Sequence, residues 1–254
     1  MKFIVAPAKK MNVADDVFSW HDLPRFVDRA EVLMNAVKEL AYDEAKRLWK
    51  TSDALTELNF ERFRAMHDLR GESVPLSPAV FAYEGIQYQH LAPAVMETDA
   101  LAYLQDNLRI LSGFYGVLRP FDGVVPYRLE MQAKLAVDGA NDLYGYWGAR
   151  LADALADETD TVVNLASVEY AKAVLPHAGE RGIEIATCLF GRFRDGRLVQ
   201  RSTAAKAARG SMVRWCAENG ISELSDVRAF DVAGYRYRAD RSDRNVYVFE
   251  ELVK

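Results

Sequence analysis

The chain has 254 residues, half of them hydrophobic and 11% aromatic, and a formal net charge of -5. That is ample apolar material for a large core, in one large domain or two small ones. The charge excludes a globally basic nucleic-acid binder but leaves room for a local basic patch. Two cysteines, Cys188 and Cys216, share no CxxC spacing, and the four histidines are scattered. Neither a disulfide framework nor a His/Cys metal cage is expected, and no motif calls for a cofactor. The N-terminal apolar run, Phe3 to Ala6, is too short to predict a signal peptide. No apolar run reaches the roughly 18 residues that a membrane span needs. A cytoplasmic protein without a membrane partner is expected, and the sequence points to no protein partner.

In chain order, Lys2 to Ala6 reads as a strand stopped by Pro7. Lys9 would then sit just past its carboxyl end, where ligands bind in open α/β sheets. Residues 24 to 66 are helical in pattern, with Phe26, Val27, Ala30, Leu33, Met34, Val37 and Leu40 at helical spacing. A second helix spans Tyr42 to Lys50, and a third starts at Ser52 or Asp53 as N-cap. This pair, within 41–66, is either an ordinary helical hairpin or a helix-hairpin-helix that grips DNA phosphates. Its turn, Lys-Thr-Ser-Asp, lacks the glycines usual in the DNA module. Residues 71 to 93 are loop-rich, with a strand over Val80 to Tyr83. Glu97 to Leu108 is a helix, and Asn141 to Glu158 a long one capped by Asn141 or Asp142. Thr161 to Ala166 is a near-continuous apolar run, as in a strand buried on both faces. Asn164 lies near its end, and Ser167 caps the next helix, which carries Glu169, Tyr170 and Lys172. Residues 183 to 201 form a hairpin about Asp195-Gly196. Thr203 to Asn219 is a helix ended by Gly220. Strand-like segments follow at Tyr235 to Arg238 and Val246 to Phe249. With no repeat and no linker, the pattern predicts one mixed α/β (α+β) domain over residues 1–254.

The segment Leu108 to Met131, LRILSGFYGVLRPFDGVVPYRLEM, is unlike a packing segment. Glycines at 113, 116 and 123 and prolines at 120 and 126 punctuate it between two strands, the second over Tyr127 to Met131. Ser112, Tyr115, Arg119, Asp122, Tyr127, Arg128 and Glu130 stand between the punctuating residues. Arg128 and Glu130, two apart, share one strand face. A second concentration lies over Arg192 to Arg214, where seven cations meet one acid, Asp195. That asymmetry points to a surface for a polyanion. Within it Lys206, Arg209 and Gly210 share a helix face, and the glycine would let a backbone or a phosphate come close. No Walker loop, GxGxxG, HExxH or GxSxG occurs, so hydrolase chemistry by those motifs is unsupported.

SGFYGVLRPFDGVVPYRLEM resembles the signature of the YaaA family, peroxide-stress-response proteins of bacteria. APAKKM, NLASVEYAKAV, AKAARGSMVRW and FDVAGYRY resemble further blocks of that family in the same order, so the resemblance covers nearly the whole chain. It implies a single compact mixed α/β domain of the kind described as cantaloupe-like, with a helix-hairpin-helix and a positively charged cleft. It implies binding to double-stranded or branched DNA, and protection against peroxide by limiting iron-dependent damage. Carried over by position, the phosphate-facing candidates are Lys9, Arg119, Arg128, Lys206 and Arg209. Ala6 stands where the family has a first-loop serine, and Glu250 and Glu251 where it commonly has a basic residue.

Two functions are thus expected. One is a DNA-binding stress protein. The other is an enzyme acting on a nucleotide or nucleobase, with Glu130 as acid or base. Its pocket would draw on Ser112, Tyr115, Tyr127, Asn164 and Glu169. Direct iron sequestration has little support, with no clustered His or Cys and no Glu-x-x-His pair. Convergence of Lys9, Arg128, Glu130, Lys206 and Arg209 on one deep pocket would favour the enzyme. An open groove lined by the cations would favour binding.

Overall fold

The computed structural model describes residues Met1 to Leu252 except Asp15 and Val17. Its centre is an eight-stranded mixed sheet. The strands are β1 (Lys2–Val5), β2 (Leu108–Ser112), β3 (Gly116–Leu118), β4 (Thr161–Leu165), β5 (Glu184–Arg194), β6 (Arg197–Val199), β7 (Tyr235–Tyr237) and β8 (Val246–Glu251). They lie in the order β7-β8-β5-β4-β1-β2-β3, with β6 paired to the far half of β5. The five central strands, from β8 to β2, run parallel. A parallel strand covered on both faces needs apolar side chains throughout. Phe3, Ile4, Val162, Val163 and Leu165 supply them and are fully buried.

β1 is followed in sequence by β2 on one side and later by β4 on the other. The connections therefore diverge at the carboxyl ends of β1 and β4, where Val5 and Leu165 are register partners. Divergence opens a crevice beyond the strand ends, because the two chains leave in opposite directions.

The helical hairpin predicted within 41–66 is present as α2 (Tyr42–Trp49) and α3 (Asp53–Ala65), preceded by α1 (Val27–Lys38). Lys50 closes α2 in the left-handed conformation (φ 51, ψ 49), which glycine adopts with less strain. Ser52 stands at the N-cap position of α3 but its side chain makes no cap bond.

Three expected elements change. Val80 to Tyr83 is not a strand. Ala79–Ala82 is the short helix α4, and only Tyr83–Glu84 pairs, antiparallel to Lys10–Met11. Pro78 (φ -60) presets the turn, and the first amides, of Ala79 and Val80, donate to Asp122 O and Pro120 O. After α5 (Ile86–Leu91) and α6 (Thr98–Asn107), the long helix expected over 141–158 is two, α7 (Leu143–Trp147) and α8 (Arg150–Ala156). Gly148 (φ 51, ψ -131) breaks it, while the predicted stripe from Leu143 to Leu155 stays buried through the break. Asp142 is the cap, accepting from Gly145 N at 3.0 Å.

The third change is Tyr127 to Met131, which has no ladder partner. Gly113 lies where a Cβ would meet Leu129 O at 2.4 Å, so the glycine lets the segment lie against the β2–β3 turn. Alternation survives without a sheet. Tyr127, Leu129 and Met131 are buried in the core, while Arg128 and Glu130 line a cleft.

The remaining helices are α9 (Val168–Ala171), α10 (Leu175–Ala178) and α11 (Ser202–Glu218). Ser167 holds the N-cap position of α9 without a side-chain cap bond. Helix α11 packs on α5 at Gly210, where a Cβ would meet Gln87 O at 2.0 Å. The close approach that this glycine permits is thus taken up by the backbone of α5. No helix among the described residues is long and apolar enough to cross a membrane.

Candidate nucleic-acid interface

Three chain segments meet beyond the carboxyl ends of β1 and β4. The first, after β1, carries Lys9. The second, after the β2–β3 hairpin, carries Arg128 and Glu130. The third is the N-terminal turn of α9, with Glu169. Lys9 Nζ lies 3.3 Å from Glu130 Oε1, and Arg128 Nη2 donates to the same oxygen at 2.8 Å. Glu130 and Arg128 are almost buried, whereas the Lys9 side chain is 64% exposed. Arg128 Nε is buried and makes no hydrogen bond. The Glu169 carboxyl accepts from Gln132 N at 3.3 Å. Burial pushes its pKa above the ordinary carboxylate range. The Gln132 amide and Lys9 oppose that rise, and Glu130 adds to it.

Lys9, Arg128 and Glu130 open into a cleft of about 810 Å3, another wall of which is α2 with Lys50 of the α2–α3 hairpin; Glu169 stands beside the cleft without lining it. Arg47 and Lys50 come from that hairpin, Lys134 from the loop after Met131, and Lys172 from the end of α9. With Lys9 and Arg128 the cleft has six cations against two carboxylates, Glu44 and Glu130, a local +4 in a protein of net -5. Lys172 Nζ stands 5.0 Å from the centroid of the Tyr144 ring, and Tyr144 OH donates to Glu169 O. Lys134 is paired with Asp142 at 2.7 Å.

Behind the cleft lies a buried hydroxyl network. Tyr127 OH is 2.5 Å from Ser112 Oγ and 2.7 Å from Tyr83 OH. Ser112 Oγ also accepts from Phe114 N and Tyr115 N, and Tyr115 OH accepts from Val125 N. Burial pushes the Tyr127 phenol up to about 12. Ser112, Tyr115 and Tyr127 are therefore neutral, satisfied core groups that brace the segment carrying Arg128 and Glu130. Asn164 is likewise occupied. It accepts from Ala166 N at 3.0 Å and donates to Thr187 Oγ1 at 3.2 Å.

Lys9, Arg128, Glu130 and Glu169 thus come together, and the other cationic candidates stand apart. Arg119 is exposed near the amino ends of the strands, in a separate pocket of about 180 Å3 with Asp22, Arg109, Asp122 and Glu158. Lys206, exposed, and Arg209, largely buried, lie on α11 outside the lining of the cleft. Burial lowers the Arg209 pKa, and its Nε has no partner. Much of the basic run around them is ion-paired. Arg192 and Arg201 share Glu251, and Arg214 pairs with Glu218. Sequence reasoning missed Arg47 and Lys134 as cleft residues. Only the hairpin turn beside Arg47 marked its place, and no local signal marks Lys134. Among the described residues, no group of three or more His, Cys, Asp or Glu is placed to hold a metal ion.

The family model described as peroxide stress protein YaaA matches residues 1–241. A UPF0246 protein of Pediococcus pentosaceus is 48% identical over 256 residues, covering the full length of both chains. A UPF0246 protein of Desulfitobacterium hafniense is 45% identical across 100% of this chain and 99% of its own. A third, from Lactiplantibacillus plantarum, is 45% identical over 98% of each. End-to-end similarity at this level places the chain in the family of the peroxide stress protein YaaA.

Proposed function

We propose that the chain serves the peroxide stress response by binding double-stranded or branched DNA in the cleft, shielding it from iron-dependent oxidation. Phosphates would lie on Lys9, Arg47, Lys50, Arg128 and Lys172, with the α2–α3 hairpin as one wall. The observation that carries this reading is the local +4 within a protein of net -5. Such a charge inversion, open to solvent, suits a polyanion. Titrating duplex and junction DNA binding against salt tests it. Each phosphate contact should contribute about 0.9 to the slope of log K against log salt. Replacing Arg47, Lys50 and Lys172 together by Gln should flatten that slope by roughly 2 to 3. A flat slope in the parent protein would overturn the reading.

The second reading is an enzyme acting on a nucleotide or nucleobase. It draws support from the nearly buried Glu130 beside Lys9 at the divergence of β1 and β4. Glu130→Gln, assayed separately for DNA binding and for peroxide protection of cells, tests it. Loss of protection with binding intact would favour proton transfer by Glu130, and parallel changes would exclude it.

A further inference from the structure

A cleft made only to hold phosphate has no use for a carboxylate in its floor, because that charge repels the ligand. Glu130 is in the floor, and its two oxygens are unequal. Lys9 and Arg128 both bind Oε1, while Oε2 accepts no hydrogen bond from any described residue. An acceptor left open beside two cations calls for a ligand that offers N–H or O–H donors as well as negative charge. The cleft also has an apolar part, where Leu40, Leu48 and Ala136 are accessible beside the nearly buried Trp49, Ala133 and Leu135. Phosphate does not need that surface, but the face of a base does.

Apolar wall, cationic rim and carboxylate floor match the three parts of a nucleotide: base face, phosphate and the donors of the base edge. We propose that the floor of the cleft binds a single unpaired guanine, extruded from the DNA that the cleft holds. This rests on the DNA-binding reading above. Guanine carries two donors side by side, N1–H and the 2-amino group, with the acceptor O6 next to them. Glu130 accepts from both donors, Oε2 from one and Oε1 from the other as it gives up its 3.3 Å contact with Lys9, and the freed ammonium of Lys9 donates to O6. A thymine would place a carbonyl oxygen on each side of its only donor, against the carboxylate. Base pairing would hide the guanine edge, so a fully paired duplex engages only the rim. The cleft of about 810 Å3 has room for one nucleotide.

The test is fluorescence anisotropy with otherwise identical duplexes that carry one unpaired guanine, adenine, cytosine, thymine or abasic residue, at one salt concentration. The guanine duplex should bind on the order of tenfold tighter than the abasic one, as expected for a bidentate pair. Glu130→Gln should erase that preference, so that the guanine and abasic duplexes bind alike. Competition on the parent protein provides a second measurement that does not depend on the variant folding. Guanosine monophosphate should displace the guanine duplex at lower concentration than the adenosine, cytidine or thymidine nucleotide. If DNA binds with a steep salt slope but another base leads, or none does, this inference fails and the DNA-binding reading stands. If no duplex binds at low salt, the DNA-binding reading fails. In that case the order of nucleotide affinities still decides whether the floor takes guanine.

Discussion

Arg128 and Glu130 form an ion pair at 2.8 Å from two positions of one segment that has no sheet partner. The β2–β3 turn, the buried Tyr127 network and the core packing of Leu129 and Met131 hold that segment in place. The pair is nearly buried, so removing one charge strands the other. Glu130→Gln leaves Arg128 with no carboxylate and should destabilise the DNA-free protein by about 2 kcal/mol. Bound phosphate would replace the missing charge, so DNA should raise the Tm of Glu130→Gln more than that of the parent. Thermal melts with and without duplex measure both quantities. Equal shifts would mean that phosphate does not reach Arg128.

A second buried pair lies at the opposite end of the sheet. Arg109 is 3% exposed, and Glu158 Oε2 accepts from its Nε at 2.9 Å and from Nη2. Arg109 Nη1 donates to Gln105 O and Leu108 O. Its position is fixed, and it cannot turn to water when Glu158 is lost. Glu158→Gln should therefore destabilise the fold by roughly 3 kcal/mol. Urea unfolding reads this directly. A loss below about 0.5 kcal/mol, the range of exposed pairs, would show that solvent reaches Arg109.

Composition and periodicity captured the parts of this molecule that depend on local chemistry. The apolar run 161–166, the Asp195-Gly196 hairpin and the alternation of 127–131 each carry their cause in neighbouring residues. Lys9 and Glu169 could be placed beside the cleft from the sequence because both follow a buried strand, and strand ends are where parallel sheets leave space. The central segment was legible from its Gly and Pro punctuation. What escaped depends on contacts distant in sequence. Gly148 breaks a helix whose apolar stripe runs on without a gap. Ser112, Tyr115 and Tyr127 look like ligand groups in sequence but satisfy one another in the core. Arg192 and Arg201 look like a free basic surface, yet both pair with Glu251 on a strand distant in sequence. Arg47 and Lys134 become neighbours only once the hairpin closes over the cleft.

Lys50 sets stability against charge. Its left-handed backbone (φ 51) crowds its Cβ, and its side chain lines the cleft. Ala at this position keeps the crowding and loses the charge, whereas Gly loses both. Lys50→Gly should therefore be more stable than Lys50→Ala by about 1 kcal/mol. Both should weaken duplex binding and flatten its salt slope equally, by about 0.9 for one lost phosphate contact. Paired urea and salt titrations check the two halves. An Ala variant as stable as the Gly variant would mean that the turn relaxes. Unequal salt slopes would mean that the turn conformation, and not the charge, carries the effect.

Asp122 gives the fold a pH dependence near neutrality. It is 3% exposed in the 119–123 loop, where Oδ2 accepts from Arg119 N at 2.9 Å and its own carbonyl caps α4. Burial pushes its carboxyl from 3.8 to about 7, against the pull of the Arg119 amide and of the Arg119 and Arg109 charges, with Asp22 adding to the rise. A carboxyl with a raised folded pKa binds its proton more tightly folded than unfolded. Its contribution is fully present below about pH 4 and is lost as pH rises through 7. The total is on the order of 4 kcal/mol. Asp122→Asn keeps an acceptor for the Arg119 amide and cannot ionise. Relative to the parent, it should gain stability from about pH 4 to pH 7 and level off above that. Urea midpoints of the two proteins at several pH values measure that difference. A difference that stays constant with pH would show that Asp122 is ionised throughout and that solvent or the nearby arginines stabilise its charge.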